Sequence, residues 1–298
     1  MPLADLSCGS ETDSSCRAKL RTLLDDDELL DQAYQFQIVG DCHKGLVGPY
    51  FRVSNLYMPH IGTKGTDEPL YYIHSTYPTT SDSVFFGPDT YLYLDYLKFA
   101  RSHFTKLPQN ILDMCCGAGA GAIHLQCQFR DATTVYGLDL NPKALELAST
   151  NATHAGVPQV QFIESNLYSN LPGSVRGRVD MITSNPPYIA TAPVGDEHLS
   201  TYADGGSKEG LELAIRIIDE GFEVLSLGGL FVIYTGVTIP LSNPGFDPLL
   251  NHLKQLGGLE VLDYTILHPD MWPEEIGTGA YTNAARIQTI GTVVRKIR

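Results

Sequence analysis

Residues 112–121 read LDMCCGAGAG and contain the strongest structural signal in the chain. The apolar run that ends at Met114 predicts a strand, and the glycines at positions 117, 119 and 121 predict a tight turn. A helical pattern follows as far as Phe129. A strand, a glycine-rich turn and a helix in this order are typical of the nucleotide-binding start of a doubly wound α/β fold.

An acidic residue ends the next predicted strand, residues 134–138. This residue, Asp139, lies 20 positions after Gly119, where a carboxylate can accept hydrogen bonds from the ribose hydroxyls of an adenosine. Gly117-x-Gly119-x-x-Ala122 also matches the dinucleotide fingerprint. The two features therefore predict a nucleotide ligand without choosing between a nicotinamide cofactor and S-adenosylmethionine (SAM).

Strand and helix patterns alternate through the rest of the chain. Asn141 is a predicted helix cap with Pro142 at the first helical position, and that helix is predicted to reach residue 152. Apolar residues at helical spacing cover 211–225. Further strands are predicted at residues 160–163, 179–183, 230–234, 259–267 and 286–294. This alternation predicts a mostly parallel, seven-stranded sheet with helices on both faces.

The first third of the chain has a different pattern. A helix is predicted over residues 16–36, and three β-branched or aromatic segments, 46–53, 70–74 and 84–86, predict short antiparallel strands. Pro88 opens a helix that is predicted to reach Phe104. We therefore predict a small N-terminal α+β domain over residues 1–104, acting on the substrate or as a lid. Residues 105–298 then form the nucleotide-binding domain.

Residues 185–188 read NPPY and follow the predicted strand 179–183; we call them the NPPY turn. Two successive prolines restrict the backbone, and α/β sheets bind ligands at the carboxyl ends of their strands. The turn presents the Asn185 side-chain oxygen, the Pro186 carbonyl and the Tyr188 ring. Two acceptors that hold the hydrogens of a planar NH2 group favour the charge that develops when its nitrogen is alkylated. An aromatic ring can stack on the same group.

These motifs together resemble the class I SAM-dependent methyltransferases. Over residues 84–298 the chain resembles more narrowly the HemK/PrmC-type enzymes, which methylate the side-chain amide of glutamine in peptide release factors. Similar signatures occur in the N6-adenine DNA methyltransferases. The resemblance implies a Rossmann-like class I methyltransferase fold with SAM as its cofactor.

The resemblance also implies roles for individual residues. Four are expected to line the methionine part of SAM: Asp113, Cys115, Gly117 and Gly119. Four more are expected around the adenosine, with the first on the ribose: Asp139, Leu140, Asn166 and Leu167. Three would handle the acceptor nitrogen, and the first of them would also border the cofactor: Asn185, Pro186 and Tyr188.

The chain departs from the family pattern at three places. Cys115 stands where the loop motif has its first glycine. Residues 87–91, GPDTY, stand where the glutamine methylators carry Arg-Pro-x-Thr-Glu. The acidic residue often found at the end of the fifth strand is replaced by residues 234–236, YTG.

Charge and composition exclude several classes of partner. Twenty Lys and Arg against 34 Asp and Glu give a net charge of −14, which argues against binding to nucleic acid or to an anionic membrane surface. No apolar run approaches the roughly 18 residues of a membrane span. No signal-peptide pattern is visible, so we expect a cytoplasmic protein, and we discount the glycosylation sequon at Asn151. The spacing of cysteine and histidine predicts no metal site.

The function predicted from the sequence is methyl transfer from SAM to a planar or amino nitrogen. The acceptor would be a small metabolite or a protein glutamine amide, and the chain could form homo-oligomers. One alternative keeps SAM but attacks its aminocarboxypropyl carbon, by transfer to an acceptor or by self-cyclisation, and releases methylthioadenosine. A nicotinamide oxidoreductase would leave the NPPY turn unexplained. A binding module without catalytic activity is the remaining alternative.

Overall fold

The computed structural model describes residues 39–42, 46–49, 51–58, 69–76, 82–190, 203–207 and 209–298. The helix predicted over residues 16–36 lies outside these residues. So do residues 191–202, which follow the NPPY turn closely along the chain.

Two short antiparallel strand pairs precede the main sheet. Strands β1 (Val39–Cys42) and β2 (Leu46–Pro49) form one pair, and β3 (Phe51–Val53) and β4 (Ile73–Ser75) form the other. The strand predicted at residues 46–53 is present as β2 and β3, the one predicted at 70–74 overlaps β4, and β1 was not predicted. The strand predicted at residues 84–86 is wrong. The Val84 carbonyl accepts from the Ser75 amide at 3.0 Å, but the Val84 amide donates to the Ser75 hydroxyl at 2.9 Å, so no continuous backbone ladder forms.

Seven strands form the central sheet, in the order β10-β11-β9-β8-β5-β6-β7. Their bounds are β5 (Asn110–Met114), β6 (Thr134–Asp139), β7 (Gln161–Glu164), β8 (Val179–Ser184), β9 (Leu225–Pro240), β10 (Leu259–His268) and β11 (Ala284–Lys296). Neighbours among β5 to β9 are parallel, whereas β11 runs antiparallel to both β9 and β10. The predicted mostly parallel, seven-stranded sheet is confirmed.

Five α-helices pack on the sheet in the part of the chain that the structure describes. They are α1 (Pro88–Ala100), α2 (Ala120–Gln128), α3 (Pro142–His154), α4 (Glu212–Gly221) and α5 (Pro248–Gln255). Residues of α1, α2 and α3 share one buried cluster with one face of the sheet, and residues of α4 and α5 share a second cluster with the other face. Helices on both faces are therefore confirmed. Helix α1 ends before the predicted Phe104 and continues as a 3-10 turn, Arg101–His103.

Two local features explain where the helices differ from the pattern in the sequence. Leu225, predicted to lie in a helix, begins β9, and the pairing of β8 with β9 shifts at a bulge where Gly228 adopts φ +81°. Helix α5 has no counterpart in the prediction. Its cap, Asp247, accepts a hydrogen bond from the Leu250 amide at 2.9 Å, and Asn141 caps α3 as predicted by accepting from the Lys143 amide at 3.1 Å.

One buried side chain joins the N-terminal strands to the sheet domain. Asn151 in α3 is 1% exposed. Its amide oxygen accepts from the Ile73 amide at 2.8 Å, and its amide nitrogen donates to the carbonyls of Ile73 at 3.0 Å and Ala118 at 2.9 Å. This side chain therefore holds β4 against the loop that follows β5. The domain boundary at residues 104 and 105 stays a prediction. Among the described helices, none is long and apolar enough to span a bilayer.

Candidate active site

A cleft lies at the carboxyl ends of β5, β6 and β8. Eight of the predicted site residues line it: Asp113, Cys115, Gly117, Asp139, Leu140, Asn166, Leu167 and Asn185. Gly119, Pro186 and Tyr188 are not among its lining residues. Gly119 instead caps α2 with φ +84°. The fold therefore brings most of the predicted cofactor residues and the predicted catalytic amide to one place.

Asp113 is buried at the end of β5, with both carboxylate oxygens hydrogen-bonded. The Tyr93 hydroxyl donates to Oδ1 and the Ala122 amide to Oδ2, each at 2.8 Å. A Cβ at Gly121 would lie 2.7 Å from both oxygens, so this close approach requires glycine. Burial raises the pKa of Asp113 to about 7, although the two hydrogen bonds oppose the shift. Asp113 is therefore poised to change its charge near neutral pH.

Asp139, at the end of β6, shapes the glycine loop through the backbone. Its Oδ2 accepts from the Gly117 amide at 2.8 Å and its Oδ1 from the Asn141 amide at 2.9 Å. Burial raises the pKa of this carboxyl, and the amide hydrogen bonds lower it. A carboxylate has about four acceptor positions, so Asp139 keeps acceptor capacity for a ribose hydroxyl. The neighbouring Leu140 is 55% exposed at the cleft.

Cys115 takes an unusual backbone conformation in the loop. Its φ is +56°, a left-handed value that glycine adopts easily and other residues adopt at a cost of about 1 kcal/mol or more. The glycine that the family has at this position would fit this geometry without strain. Burial raises the pKa of the Cys115 and Cys116 thiols, so both are expected to be un-ionised at neutral pH.

The NPPY turn begins directly after β8. Ser184 donates to the Met114 carbonyl at 2.7 Å, which ties the ends of β8 and β5 together. The next side chain, Asn185, lines the cleft and makes no hydrogen bond with any residue that the structure describes. Its amide therefore remains available to a ligand. Tyr188 is only 8% exposed, and its ring packs against Trp272.

Several lining residues were missed by the sequence analysis. They come mainly from the segment before α1 and from α1 itself: Ser83, Val84, Phe85, Phe86, Thr90 and Tyr93. Residues 84–86, predicted as a strand, form part of the cleft wall instead. Thr90 and Tyr93 are three positions apart on α1 and so share a face. That spacing was visible in the sequence, but the hydrogen bond between Tyr93 and Asp113 was not.

Comparison with known proteins identifies the family. The model of the methyltransferase small domain matches residues 97–201. A protein of Methanocaldococcus jannaschii, named provisionally as a protein N5-glutamine methyltransferase, is 36% identical over 144 residues, which is 47% of this chain and 67% of that protein. The chain belongs to the HemK/PrmC-type methyltransferases. Methyltransferase HEMK2 of Mus musculus is 31% identical over 162 residues, 52% of this chain and 71% of that protein.

Other relatives are matched over a smaller part of their length. The release factor glutamine methyltransferase of Salmonella typhimurium is 34% identical over 134 residues. That match covers 42% of the present chain and 46% of the Salmonella protein. Among solved structures, Trm5 of Methanocaldococcus jannaschii, in complex with adenosine, matches with a TM-score of 0.50 and 15% identity. The match covers 85% of this chain and 60% of that one, and it shows the fold alone. The predicted SAM-dependent methyltransferase, its fold and its cofactor are confirmed.

Proposed function

We propose that this methyltransferase acts on nitrogen, and that its acceptor is the side-chain amide of glutamine in a protein. The observation that carries the proposal is Asn185, whose amide has no hydrogen-bond partner among the described residues and lines the same cleft as Asp113 and Asp139. Relatives named as glutamine methyltransferases support this acceptor class over a small metabolite.

The residues of the cleft fit SAM. Asp139 has acceptor capacity left for a ribose hydroxyl, and Leu140 offers an exposed apolar side chain to the adenine. The buried carboxyl of Asp113 suits the positively charged methionine part. SAM, when bound, supplies an electrophilic methyl group on a sulfonium sulfur.

The NPPY turn supplies the other half of the chemistry. An amide nitrogen attacks poorly because its lone pair is delocalised into the carbonyl. In the proposal, Asn185 Oδ1 and the Pro186 carbonyl accept hydrogen bonds from the two N–H groups of the acceptor amide. These hydrogen bonds draw the nitrogen towards tetrahedral geometry and stabilise the positive charge that develops as the N–C bond forms and the bond from the methyl group to sulfur breaks. The methylated nitrogen then loses its extra proton to solvent. Positioning then provides most of the rate enhancement, and no strong base is required.

Assay of named acceptors tests the proposal. The protein is incubated with SAM and either a bacterial release factor or ribosomal protein uL3, which are acceptors in the names of its relatives. We expect one methyl group on a glutamine, located by peptide mass spectrometry, with an equal amount of S-adenosylhomocysteine. Phe246→Ala, which alters an exposed side chain absent from the cleft lining, serves as a control that should retain activity.

The same assay decides between the two reactions considered from the sequence. The relatives compared above are named for methyl transfer, which favours it over attack at the aminocarboxypropyl carbon. Methylthioadenosine as the product would contradict methyl transfer. A methyl group on lysine or arginine would retain methyl transfer and reject the glutamine acceptor.

A further inference from the structure

We propose that Trp272 is a positioning residue for the NPPY turn. Its indole holds the Tyr188 ring in place and thereby fixes where Asn185 meets the acceptor. Trp272 lies in the connection between β10 and β11, which contains none of the predicted cofactor residues. The effect on turnover rests on the function proposed above, whereas the contact itself does not.

The Tyr188 ring is enclosed by side chains and backbone. The indole of Trp272 stacks on it with ring centroids 5.8 Å apart and an interplanar angle of 19°, and Tyr234 meets it edge-on at 6.5 Å. On β9, a Cβ added to Gly236 would lie 2.3 Å from Tyr188 Cδ2. The glycine at position 236 therefore leaves the room that this ring occupies.

The hydroxyl of Tyr188 is also fixed, by a hydrogen bond to another element. It donates a hydrogen bond to the carboxylate of Asp89, in the first turn of α1. Asp89 directly precedes Thr90, which lines the cleft. Tyr188 therefore links α1, the NPPY turn and the β10–β11 connection through one side chain.

The backbone of the β10–β11 connection is adapted to this contact. Trp272 has φ +47°, a left-handed value that is strained for a bulky residue and persists only where the surroundings impose it. A second link lies nearby, because the Tyr281 hydroxyl accepts from the Ala190 amide at 3.0 Å. Met271, beside Trp272, is tied to β11 by a backbone hydrogen bond to Ile287 at 2.6 Å.

The position of the ring determines the position of the catalytic amide. Only two prolines separate Asn185 from Tyr188, and each restricts the backbone. Movement of the ring therefore passes directly to Asn185 and to the Pro186 carbonyl. A displacement of about 1 Å at a reacting group can lower turnover by about 100-fold. In this proposal the enclosed Tyr188 ring acts by fixing the position of the NPPY turn. The stacking of Tyr188 on the acceptor, predicted from the sequence, stays a prediction.

Kinetic analysis separates positioning from other roles. The acceptor used is whichever of the two proteins the assay above shows to be a substrate. On this acceptor we expect Trp272→Ala to lower kcat by about 10- to 100-fold, with KM and the Kd for SAM changed less than about twofold. Trp272→Phe should restore most of kcat because a flat ring remains, and Phe246→Ala should behave as wild type. Three results would overturn the proposal: an unchanged kcat, a higher kcat with a lower KM, or a joint loss of kcat and SAM affinity. The second would show that the indole obstructs the acceptor.

Fluorescence tests the contact without any acceptor. Trp272 is the single tryptophan of the chain, so all indole emission reports on it. We expect acrylamide to quench this emission more strongly in Tyr188→Leu and Asp89→Asn than in wild type, because the indole loses its stacking partner or that partner becomes mobile. Equal quenching in all three proteins would overturn the contact. If neither acceptor is methylated, the proposed function fails, while this measurement still decides whether Trp272 holds the Tyr188 ring.

Discussion

The cofactor side of the cleft, from Asp113 to Asn141, and the NPPY turn are held in opposite ways. On the cofactor side, backbone amides 9, 22 and 2 positions away donate to the two carboxylates. At the NPPY turn, Tyr188 is held by a carboxylate 99 positions away and by an indole from the β10–β11 connection. The cofactor side is organised mainly by backbone amides of one continuous stretch, with one side-chain donor, Tyr93, from α1. The NPPY turn is organised by distant side chains.

This difference has a functional meaning. Hydrogen bonds from the backbone survive most substitutions, so the cofactor side tolerates change in its neighbours and keeps one shape. Contacts between side chains can be altered one residue at a time. The acceptor side of such an enzyme can therefore be changed by substitutions in distant segments while cofactor binding stays intact.

The sharpest test of the comparison is Asn185→Ala. We expect turnover to fall by about 100- to 1000-fold, because one of the two acceptors for the amide hydrogens is lost. The Kd for SAM, measured by calorimetry, should change only a few-fold. Turnover within about fivefold of wild type would remove Asn185 from the reaction.

A substitution on the cofactor side should give the reverse result. Asp139→Ala removes charge-assisted hydrogen bonds and leaves the Gly117 amide without its acceptor. We expect SAM to bind about 10- to 100-fold more weakly, as measured by calorimetry, with turnover at saturating SAM less affected. An unchanged Kd would place the ribose elsewhere.

The pH dependence of SAM binding tests Asp113. Its pKa of about 7 lies above the ordinary value of 3.8, so its contribution to folding is full at low pH and is lost as the pH rises through about 7. The affinity for SAM changes with pH in the opposite direction, because the ionised carboxylate attracts the cationic methionine part. We expect the affinity to rise between about pH 6 and pH 8, by less than tenfold per pH unit. In Asp113→Asn this rise should be reduced, and an equal rise in both proteins would exclude Asp113 as its source.

The smallest expected effect concerns the two adjacent cysteines. Cys115→Gly relieves a left-handed backbone, whereas Cys116→Gly only removes a buried side chain. We therefore expect Cys115→Gly to be less destabilising than Cys116→Gly by about 1 kcal/mol in denaturant unfolding. Equal losses of stability in the two variants would mean that the strain at Cys115 is negligible.

The contrast between the two regions also explains what could be predicted from the sequence. The alternation of strand and helix patterns was sufficient to predict the sheet. Residues 112–121 and Asp139 were sufficient to predict the glycine loop and several residues that line the cleft beside it, since their contacts are local or follow from parallel strands. Asp89, Trp272 and Tyr281 were not assigned to the NPPY turn, because their contacts depend on how distant segments pack. The wall at residues 84–86 was misread as a strand for a related reason. Its β-branched and aromatic residues fit a strand, but Val84 shares one backbone hydrogen bond with Ser75 and directs its amide to the Ser75 hydroxyl, so the backbone ladder of a strand does not form.

Asn151 has a consequence for producing this protein. It is the asparagine of the sequon at residues 151–153, NAT, yet its amide is buried and bonded to both Ile73 and Ala118. An oligosaccharide could reach this nitrogen only before α3 closes on β4. In a secretory pathway glycosylation of Asn151 would therefore compete with folding. A chain glycosylated at Asn151 could not pack β4 against the glycine loop. Asn151→Gln would remove the sequon but also displace these hydrogen bonds, so Thr153→Ala is the safer change for such expression.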